Sequence, residues 1–200
     1  IQYQGKYGME LLEDVVGVPQ GCSQLIEYDG CVNYMKAGIE TADRVTTVSP
    51  TYAKEILDPW FSWGLDPILQ ARAWKIQGIL NGIDTDSYDP ARDPDVFETY
   101  SAETVAAGKA ANKQALQERL HLPQRPDVPM IAMVTRLASH KGLDLVRYIA
   151  DELLTRDVQL VILGSGEWVY ENFFRELQGR YPDKFCYCVG FIPELARKIY

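Results

Sequence analysis

The chain has few residues that could bind a metal ion or form a disulfide framework. Its 200 residues include only two histidines, His121 and His140, and four cysteines. No cysteine pair has the C-x-x-C spacing, and Cys186 and Cys188 fall in a predicted strand, where alternate side chains share a face. A zinc site is therefore poorly supported, so we expect no metal and reduced, structural thiols of a cytoplasmic protein.

Long apolar runs and a surplus of positive charge are also missing. No stretch approaches the roughly 20 apolar residues of a membrane span, and the first residues lack the apolar core of a signal peptide. Lys and Arg total 20 against 28 Asp and Glu, which gives a net charge of −8. Such a surface repels nucleic acid and anionic membranes, so any phosphate site has to be a local basic pocket. We expect neither nucleic acid nor membrane as a partner.

Strands and helices alternate from residue 128 onward. The predicted elements are, in order, strand Met130–Val134, helix Leu143–Leu154, strand Val158–Leu163, helix Trp168–Arg180, strand Phe185–Val189 and a helix that begins at Pro193. This alternation is typical of βαβ units, and the nearly continuous apolar strands fit a sheet covered on both faces. The sequence predicts an α/β fold with a parallel sheet.

The preceding region is less regular. Residues 1–35 show no clear periodicity and are predicted to be irregular. The elements predicted after them are helix Asn33–Ala42, strand Arg44–Ser49, a helix capped by Ser49 with Pro50 in its first turn, helix Leu65–Trp74, strand Ile76–Leu80 and helix Ala102–Leu120. Residues 84–98, which are rich in Asp and Pro, indicate a surface connection.

Two cations follow the first strand of the parallel region. Arg136 stands at the carboxyl end of the strand, and Lys141 is predicted to lie in the first turn of the next helix. Ligands bind at this edge of an open parallel sheet, and a helix amino terminus favours an anion. The pattern favours a phosphate site, although these residues alone leave open a solvated loop with two ordinary surface cations.

Two more loops are predicted to reach the same edge. In the first, Gly164-Ser165-Gly166, the glycines would let the backbone approach a ligand, and Glu167 would favour the amino terminus of the helix that follows. In the second, Gly190 precedes Phe191, whose ring could stack on a base. A tight structural turn and a core aromatic are the alternatives.

Motifs of common catalytic machinery do not occur. The chain has no full G-x-G-x-x-G after a strand, no Walker sequence, no G-x-S-x-G and no H-E-x-x-H. Local chemistry therefore indicates a domain that binds a nucleotide or sugar phosphate and shows no visible catalytic group.

Several segments resemble bacterial glycogen synthases and plant starch synthases in order and spacing. They are Thr41–Pro50, Gly78–Asp84, Val134–Leu137 with Lys141–Leu145, and Leu163–Gly166, with weaker likeness at Tyr3–Gly5 and Asn33–Gly38. The resemblance covers essentially the whole chain. It implies a retaining glycosyltransferase of the GT-B type, with two Rossmann-like domains, that moves glucose from ADP-glucose to the non-reducing end of an α-1,4-glucan. No cofactor is implied.

The same resemblance assigns site residues. Arg136 and Lys141 match cations on the donor diphosphate, and Asn81 matches a residue that faces the glucosyl pocket. Gly164 and Gly190 match positions near the nucleotide, and Phe191 stands where the family commonly has an aromatic, usually Tyr, beside the adenine. Neutralising the leaving ADP is the role implied for the two cations.

The resemblance also implies an internal segment of a synthase. Residues 1–83 match the end of the amino-terminal domain, 84–125 a hinge with a connecting helix, and 126–200 the first half of the nucleotide-binding domain. The family's Lys-Thr-Gly-Gly-Leu loop, its pocket histidine and its Glu-rich motif do not occur, so the catalytic residues are expected outside the 200 residues and the isolated chain is expected to be inactive.

Four points stay open. A non-catalytic module that binds a nucleotide or glucan is the alternative function, and pocket chemistry alone does not exclude UDP. An oligomer is possible. The resemblance implies the cytoplasm of a bacterium, or a plastid if the source is a plant.

Overall fold

The computed structural model describes all 200 residues, which form two compact units, 1–83 and 84–200. The segment 84–125, expected to be a hinge, lies within the second unit. No helix in the chain has both the length and the apolar composition needed to span a bilayer.

The first unit contains short strands and helices. Its elements are β1 (Lys6–Tyr7), β2 (Glu27–Tyr28), β3 (Cys31–Asn33), α1 (Tyr34–Thr41), β4 (Val45–Thr47), α2 (Pro50–Glu55), α3 (Pro59–Ser62), α4 (Asp66–Ala71) and β5 (Ile76–Gly78). β1 and β2 flank β3 in an antiparallel sheet, and β4 pairs with β5 in parallel. The antiparallel sheet lies in the region that we expected to be irregular, so that expectation was wrong.

A buried polar network fixes the start of α1. Asn33 caps the helix, its Oδ1 accepting from the Lys36 amide at 3.0 Å, while its Nδ2 donates to Gln4 Oε1 at 2.8 Å. Gln4 Nε2 in turn donates to the Trp63 carbonyl at 2.9 Å. Asn33 and Gln4 are buried with their polar atoms paired, so the network stabilises the unit.

The carboxyl end of α1 is capped by a lysine from another part of the unit. Buried Lys75 donates from Nζ to the carbonyls of Glu40 at 3.1 Å and Ala42 at 2.6 Å. A cation at this end satisfies carbonyls that lack helical partners and opposes the negative end of the helix dipole.

The second unit is built around a parallel sheet. Its elements are α5 (Val105–Arg119), β6 (Met130–Val134), α6 (Leu143–Thr155), β7 (Gln159–Gly164), α7 (Trp168–Arg180), β8 (Phe185–Val189) and α8 (Pro193–Ile199). The strand order is β6-β7-β8, with Val134 opposite Leu163 and Gly164 opposite Val189. All six residues of the central strand β7 are buried, which explains the apolar run from Leu160 to Leu163.

Helices cover both faces of this sheet. On one face, Leu160 and Ile162 of β7 pack with side chains of α6 and α7, including Phe174. On the other face, Leu163 packs with Leu116 of α5 and Leu195 of α8. The predicted parallel α/β architecture is confirmed in this unit.

The Asp- and Pro-rich segment before α5 is attached to α8. Arg197 of α8 donates to Asp93 Oδ2 at 2.8 Å and stacks over the Tyr88 ring, 4.5 Å from its centroid. Asp93 is only 5% exposed. The segment is therefore held on the surface of the second unit by a partly buried ion pair.

Candidate functional site

A pocket of about 600 Å³ lies where the three parallel strands end at their carboxyl edge. It is lined by residues that follow β6, β7 and β8 and by the start of α8, among them Arg136, Gly164, Ser165, Gly190, Phe191 and Pro193. The three loops singled out in the sequence thus meet at one cavity, because parallel strands bring their carboxyl ends to the same side of a sheet.

Four of the six predicted site residues line this pocket: Arg136, Gly164, Gly190 and Phe191. Lys141 does not line it. Asn81 belongs to the first unit, where it is exposed in the segment after β5 and makes no hydrogen bond or ion pair.

The position of Lys141 differs from the expectation. It ends a 3-10 turn, Ser139–Lys141, and Gly142 then takes a left-handed conformation with φ of 71° before α6 begins at Leu143. Lys141 therefore precedes the helix rather than lying in its first turn. The reason is the glycine, which allows the sharp change of direction between the turn and the helix.

Both predicted cations are available to a ligand. Arg136 and Lys141 are exposed, and neither side chain forms a hydrogen bond or an ion pair. Many other cations of the second unit are paired with carboxylates, as Arg175 is with Glu171 at 2.8 Å. Arg136 thus places an unpaired positive charge at the wall of the pocket in a chain of net charge −8.

The glycines of the β7 loop serve close contact between chain segments. A Cβ on Gly164 would lie 1.9 Å from the Thr135 carbonyl oxygen, and one on Gly166 would lie 2.1 Å from that of Leu137. Beyond the strands, the Leu137 amide donates to the Ser165 carbonyl at 2.9 Å. The two loops are therefore joined backbone to backbone, and any side chain at either glycine would separate them.

Two carboxylates hold the loops in place, a role that their sequence positions did not predict. Glu167 accepts at Oε1 from the Ser139 amide at 2.8 Å, and Glu171 accepts at Oε1 from the Gly166 amide at 2.9 Å. Glu167 is the cap residue of α7, but its side chain makes no capping bond, so its partner is the other loop rather than its own helix. The i, i+4 spacing of Glu171 and Arg175 signals the ion pair between them, but it does not signal the contact with Gly166.

The environment of Glu171 keeps its side chain charged. The hydrogen bond from the Gly166 amide, followed by the one from Arg175, holds the pKa of Glu171 below its usual range. An ionised carboxylate accepts a stronger hydrogen bond from a backbone N–H than a neutral one does. The glycine loop thus has a charged anchor at neutral pH.

Phe191 projects from the pocket wall into solvent. Its side chain is 91% exposed, and it follows Gly190, whose φ of 121° is accessible mainly to glycine. A core position for this aromatic is excluded. An exposed ring beside a cavity is suited to stacking on a flat ligand.

No group of three or more His, Cys, Asp or Glu side chains in the chain is placed to hold a metal ion. The pocket therefore offers a guanidinium, backbone polar groups and an aromatic face as its binding elements.

Comparison with known proteins shows which family the chain is similar to. A family model described as starch synthase catalytic domain matches residues 1–71. A glycogen synthase of Exiguobacterium sibiricum is 46% identical over 202 residues, an alignment that covers 100% of this chain. The whole chain is homologous to a segment of the glycogen and starch synthases. A glycogen synthase of Streptococcus equi subsp. equi is 47% identical over 202 residues.

A solved member of the glycogen and starch synthase family shares the fold. The catalytic domain of starch synthase IV from Arabidopsis thaliana, bound to ADP and acarbose, matches with a TM-score of 0.88 and 31% identity, covering 100% of this chain and 42% of that one. The chain likewise spans 42% of the length of the two glycogen synthases. The expected GT-B type α/β fold is thus confirmed for a segment of this family.

Proposed function

We propose that the protein is a retaining glucosyltransferase that transfers glucose from ADP-glucose to the non-reducing end of an α-1,4-glucan. In this proposal the pocket of the second unit binds the nucleotide of the donor. The single observation that carries the site assignment is the convergence of Arg136 and Phe191 on one cavity. Support for the reaction comes from the relatives, which are glycogen synthases, and from the solved starch synthase with ADP and acarbose.

The roles follow from the chemistry of the leaving group. When the bond between glucose and the diphosphate breaks, negative charge builds up on ADP. A guanidinium beside the diphosphate stabilises that charge, and its fork of N–H donors can bind two phosphate oxygens at once. We assign this role to Arg136, with Lys141 in support, and stacking on the adenine to Phe191.

The two cations are expected to contribute unequally. Arg136 lines the pocket, whereas Lys141 lies outside its wall after a short turn. A hydrogen bond to a charged group contributes about 1.5–3 kcal/mol, so Arg136→Ala should weaken ADP binding roughly 10- to 150-fold. Lys141→Ala should weaken it less, because a flexible ammonium reaching the diphosphate through solvent is a weaker point charge.

Calorimetric titration of the chain with ADP tests the site. Lys6→Ala and Lys54→Ala serve as controls, since each removes one exposed cation whose side chain forms no hydrogen bond or ion pair and does not line the pocket. The controls should bind ADP as the parent does. Parental affinity in both Arg136→Ala and Lys141→Ala would show that the donor site lies elsewhere.

Labelled transfer tests the reaction. The full-length protein should move glucose from ADP-glucose onto glycogen, more efficiently than from UDP-glucose, and retain the α configuration. A protein that binds ADP but transfers no glucose from any nucleotide sugar would be a binding module instead.

Further assignments belong to this proposal. We assign Asn81 to the glucosyl pocket, and residues 1–83, 84–125 and 126–200 to the amino-terminal domain, the hinge with its helix and the nucleotide-binding domain. The bacterial relatives favour the cytoplasm as the place of the activity. Asn81→Ala in the full-length protein should lower the rate of transfer while leaving ADP affinity unchanged.

A further inference from the structure

Strand β8 carries two thiols side by side on one face. The Sγ atoms of Cys186 and Cys188 lie 3.8 Å apart, and both residues are partly exposed. Phe185 and Tyr187 point to the other face, where they are buried with Phe174. Because side chains alternate along a strand, the two cysteines share the face of the sheet on which α5 and α8 lie.

The surroundings of the two thiols are unequal. The hydrogen bond with Cys186 and the charge of Arg119 lower the pKa of the Cys188 thiol, although burial opposes them. The same hydrogen bond and burial raise the pKa of Cys186. Arg119, which also acts on Glu194 of α8, is the nearby cation. Cys188 is therefore the better thiolate and Cys186 the neighbouring thiol that it contacts.

A metal site does not account for the pair, because no third His, Cys, Asp or Glu is placed to complete one. Two adjacent, partly exposed thiols of unequal acidity instead match the arrangement of an attacking and a resolving cysteine.

We propose that Cys186 and Cys188 form a redox-responsive dithiol that closes reversibly to a disulfide by exchange with a low-molecular-weight disulfide, and that closure alters the backbone at Gly190 and Phe191. This redox chemistry does not require that the protein transfer glucose.

The exchange has two balanced steps, written for glutathione disulfide. The Cys188 thiolate attacks one reagent sulfur, the reagent S–S bond breaks, and one glutathione thiolate leaves. Cys186 then loses its proton to solvent and attacks Sγ of Cys188, which releases the second glutathione thiolate. In total, two protein thiols are oxidised and one reagent disulfide is reduced to two thiols.

Closure must deform the end of β8. Residues two apart on a strand have Cα atoms about 6.6 Å from each other, near the upper limit of disulfide geometry. The strand therefore has to contract to bring the sulfurs together, and a disulfide under such strain is readily reduced again. Gly190 follows two residues after Cys188, and its amide donates to the Gly164 carbonyl at 3.1 Å, so the contraction reaches the pocket wall.

Mass spectrometry after treatment with glutathione disulfide tests the dithiol. The background is Cys22→Ser with Cys31→Ser, which removes the two other thiols. This protein should lose both free thiols to an internal disulfide, whereas adding Cys186→Ser should stop the reaction at one glutathione on Cys188. Adding Cys188→Ser instead should slow the reaction of the protein with glutathione disulfide at least tenfold. Blocking the thiols of the background protein with a maleimide beforehand should have the same effect.

Two results would overturn the dithiol. One is that both thiols stay free in excess glutathione disulfide; the other is that each cysteine reacts alone at the same rate without forming an internal disulfide. Arg119→Gln adds a graded test, because losing the cation should slow the first step several-fold.

Hydrogen exchange tests the effect on the pocket without any nucleotide. Oxidation should speed amide exchange in residues 189–193 several-fold, and dithiothreitol should restore the original rate. The double variant Cys186→Ser with Cys188→Ser should show no change on the same treatment. An internal disulfide that leaves exchange in 189–193 unchanged would contradict the coupling.

Discussion

Replacing Gly164 by alanine distinguishes two reasons for a glycine at the pocket wall: close packing of the two backbones and contact with the ligand. A Cβ at this position would lie 1.9 Å from the Thr135 carbonyl oxygen, whereas carbon and oxygen approach each other to about 3.3 Å without strain. One backbone would have to move by about 1.4 Å. The Thr135 amide already donates to the Leu163 carbonyl at 3.0 Å, so that movement would break the junction between β6 and β7.

The expected cost of Gly164→Ala is at least about 3 kcal/mol, the upper range for forcing extra atoms into a packed core. For a unit of this size the melting temperature should fall on the order of 10 °C. The control is Gly179→Ala on the exposed side of α7, where a Cβ would meet nothing within 4 Å. That change should stabilise the protein by about 0.5–1 kcal/mol, because alanine is the better helix former.

Thermal unfolding of the full chain, followed by circular dichroism, measures both variants. Amide exchange in β6 and β7 should also become faster in Gly164→Ala and not in Gly179→Ala. A Gly164→Ala protein that melts like the parent would refute the packing argument. If it also failed to bind ADP, the glycine would be needed for the ligand instead.

The remaining predictions concern the polar contacts of each unit. Asn33→Ala should cost about 2–3 kcal/mol in urea unfolding, because it removes a helix cap and leaves buried Gln4 without its partner; Asp58→Ala, an exposed cap, should cost only about 1 kcal/mol. Arg197→Ala should cost about 2–3 kcal/mol and speed exchange in residues 84–98, because Asp93 loses its ion-pair partner. Burial raises the pKa of Asp93, but hydrogen bonds from a backbone N–H and Arg197 outweigh it and hold the pKa below the usual range. The stabilisation is therefore complete above the unfolded pKa of about 4 and is lost as the pH falls through the folded value. An acid titration should thus open 84–98 below about pH 4, and Asp93→Asn should remove most of that dependence. Equal costs for Asn33→Ala and Asp58→Ala, or a segment that stays protected at pH 2, would contradict these arguments.

The parallel sheet could be predicted because its signals are local. β6, α7 and β8 have the predicted bounds, since the two strands are short, mainly apolar runs and α7 shows clear helical periodicity. Strand β5 ends at Gly78, two residues earlier than expected, because the backbone of Ser49 and Pro50 packs against this glycine.

The antiparallel sheet of the first unit was missed because its strands are two or three residues long. β1 pairs with β3 across about 25 residues, and no periodic pattern can develop in such short elements. One signal was present, however. Asp29 and Gly30 have φ values of 52° and 71°, and the Asp-Gly pair between Tyr28 and Cys31 is typical of a two-residue hairpin turn.

The pocket was predictable only in part. Arg136 and Phe191 follow strands whose order and direction the sequence indicates, so their convergence could be expected. The contacts of Glu167 and Glu171 could not, because they depend on how closely two loops approach once their glycines are in place. Lys141 was placed in a helix because helical spacing does not reveal a 3-10 turn that ends at a left-handed glycine.

Hydrogen exchange of the chain with and without saturating ADP tests the central claim most directly. If the pocket at the carboxyl ends of the parallel strands holds the nucleotide, protection should appear in residues 134–136, 163–166 and 190–193. Protection in these segments should be lost in Arg136→Ala at the same ADP concentration and kept in Lys54→Ala. Protection that falls elsewhere, while calorimetry shows ADP to be bound, would contradict the account.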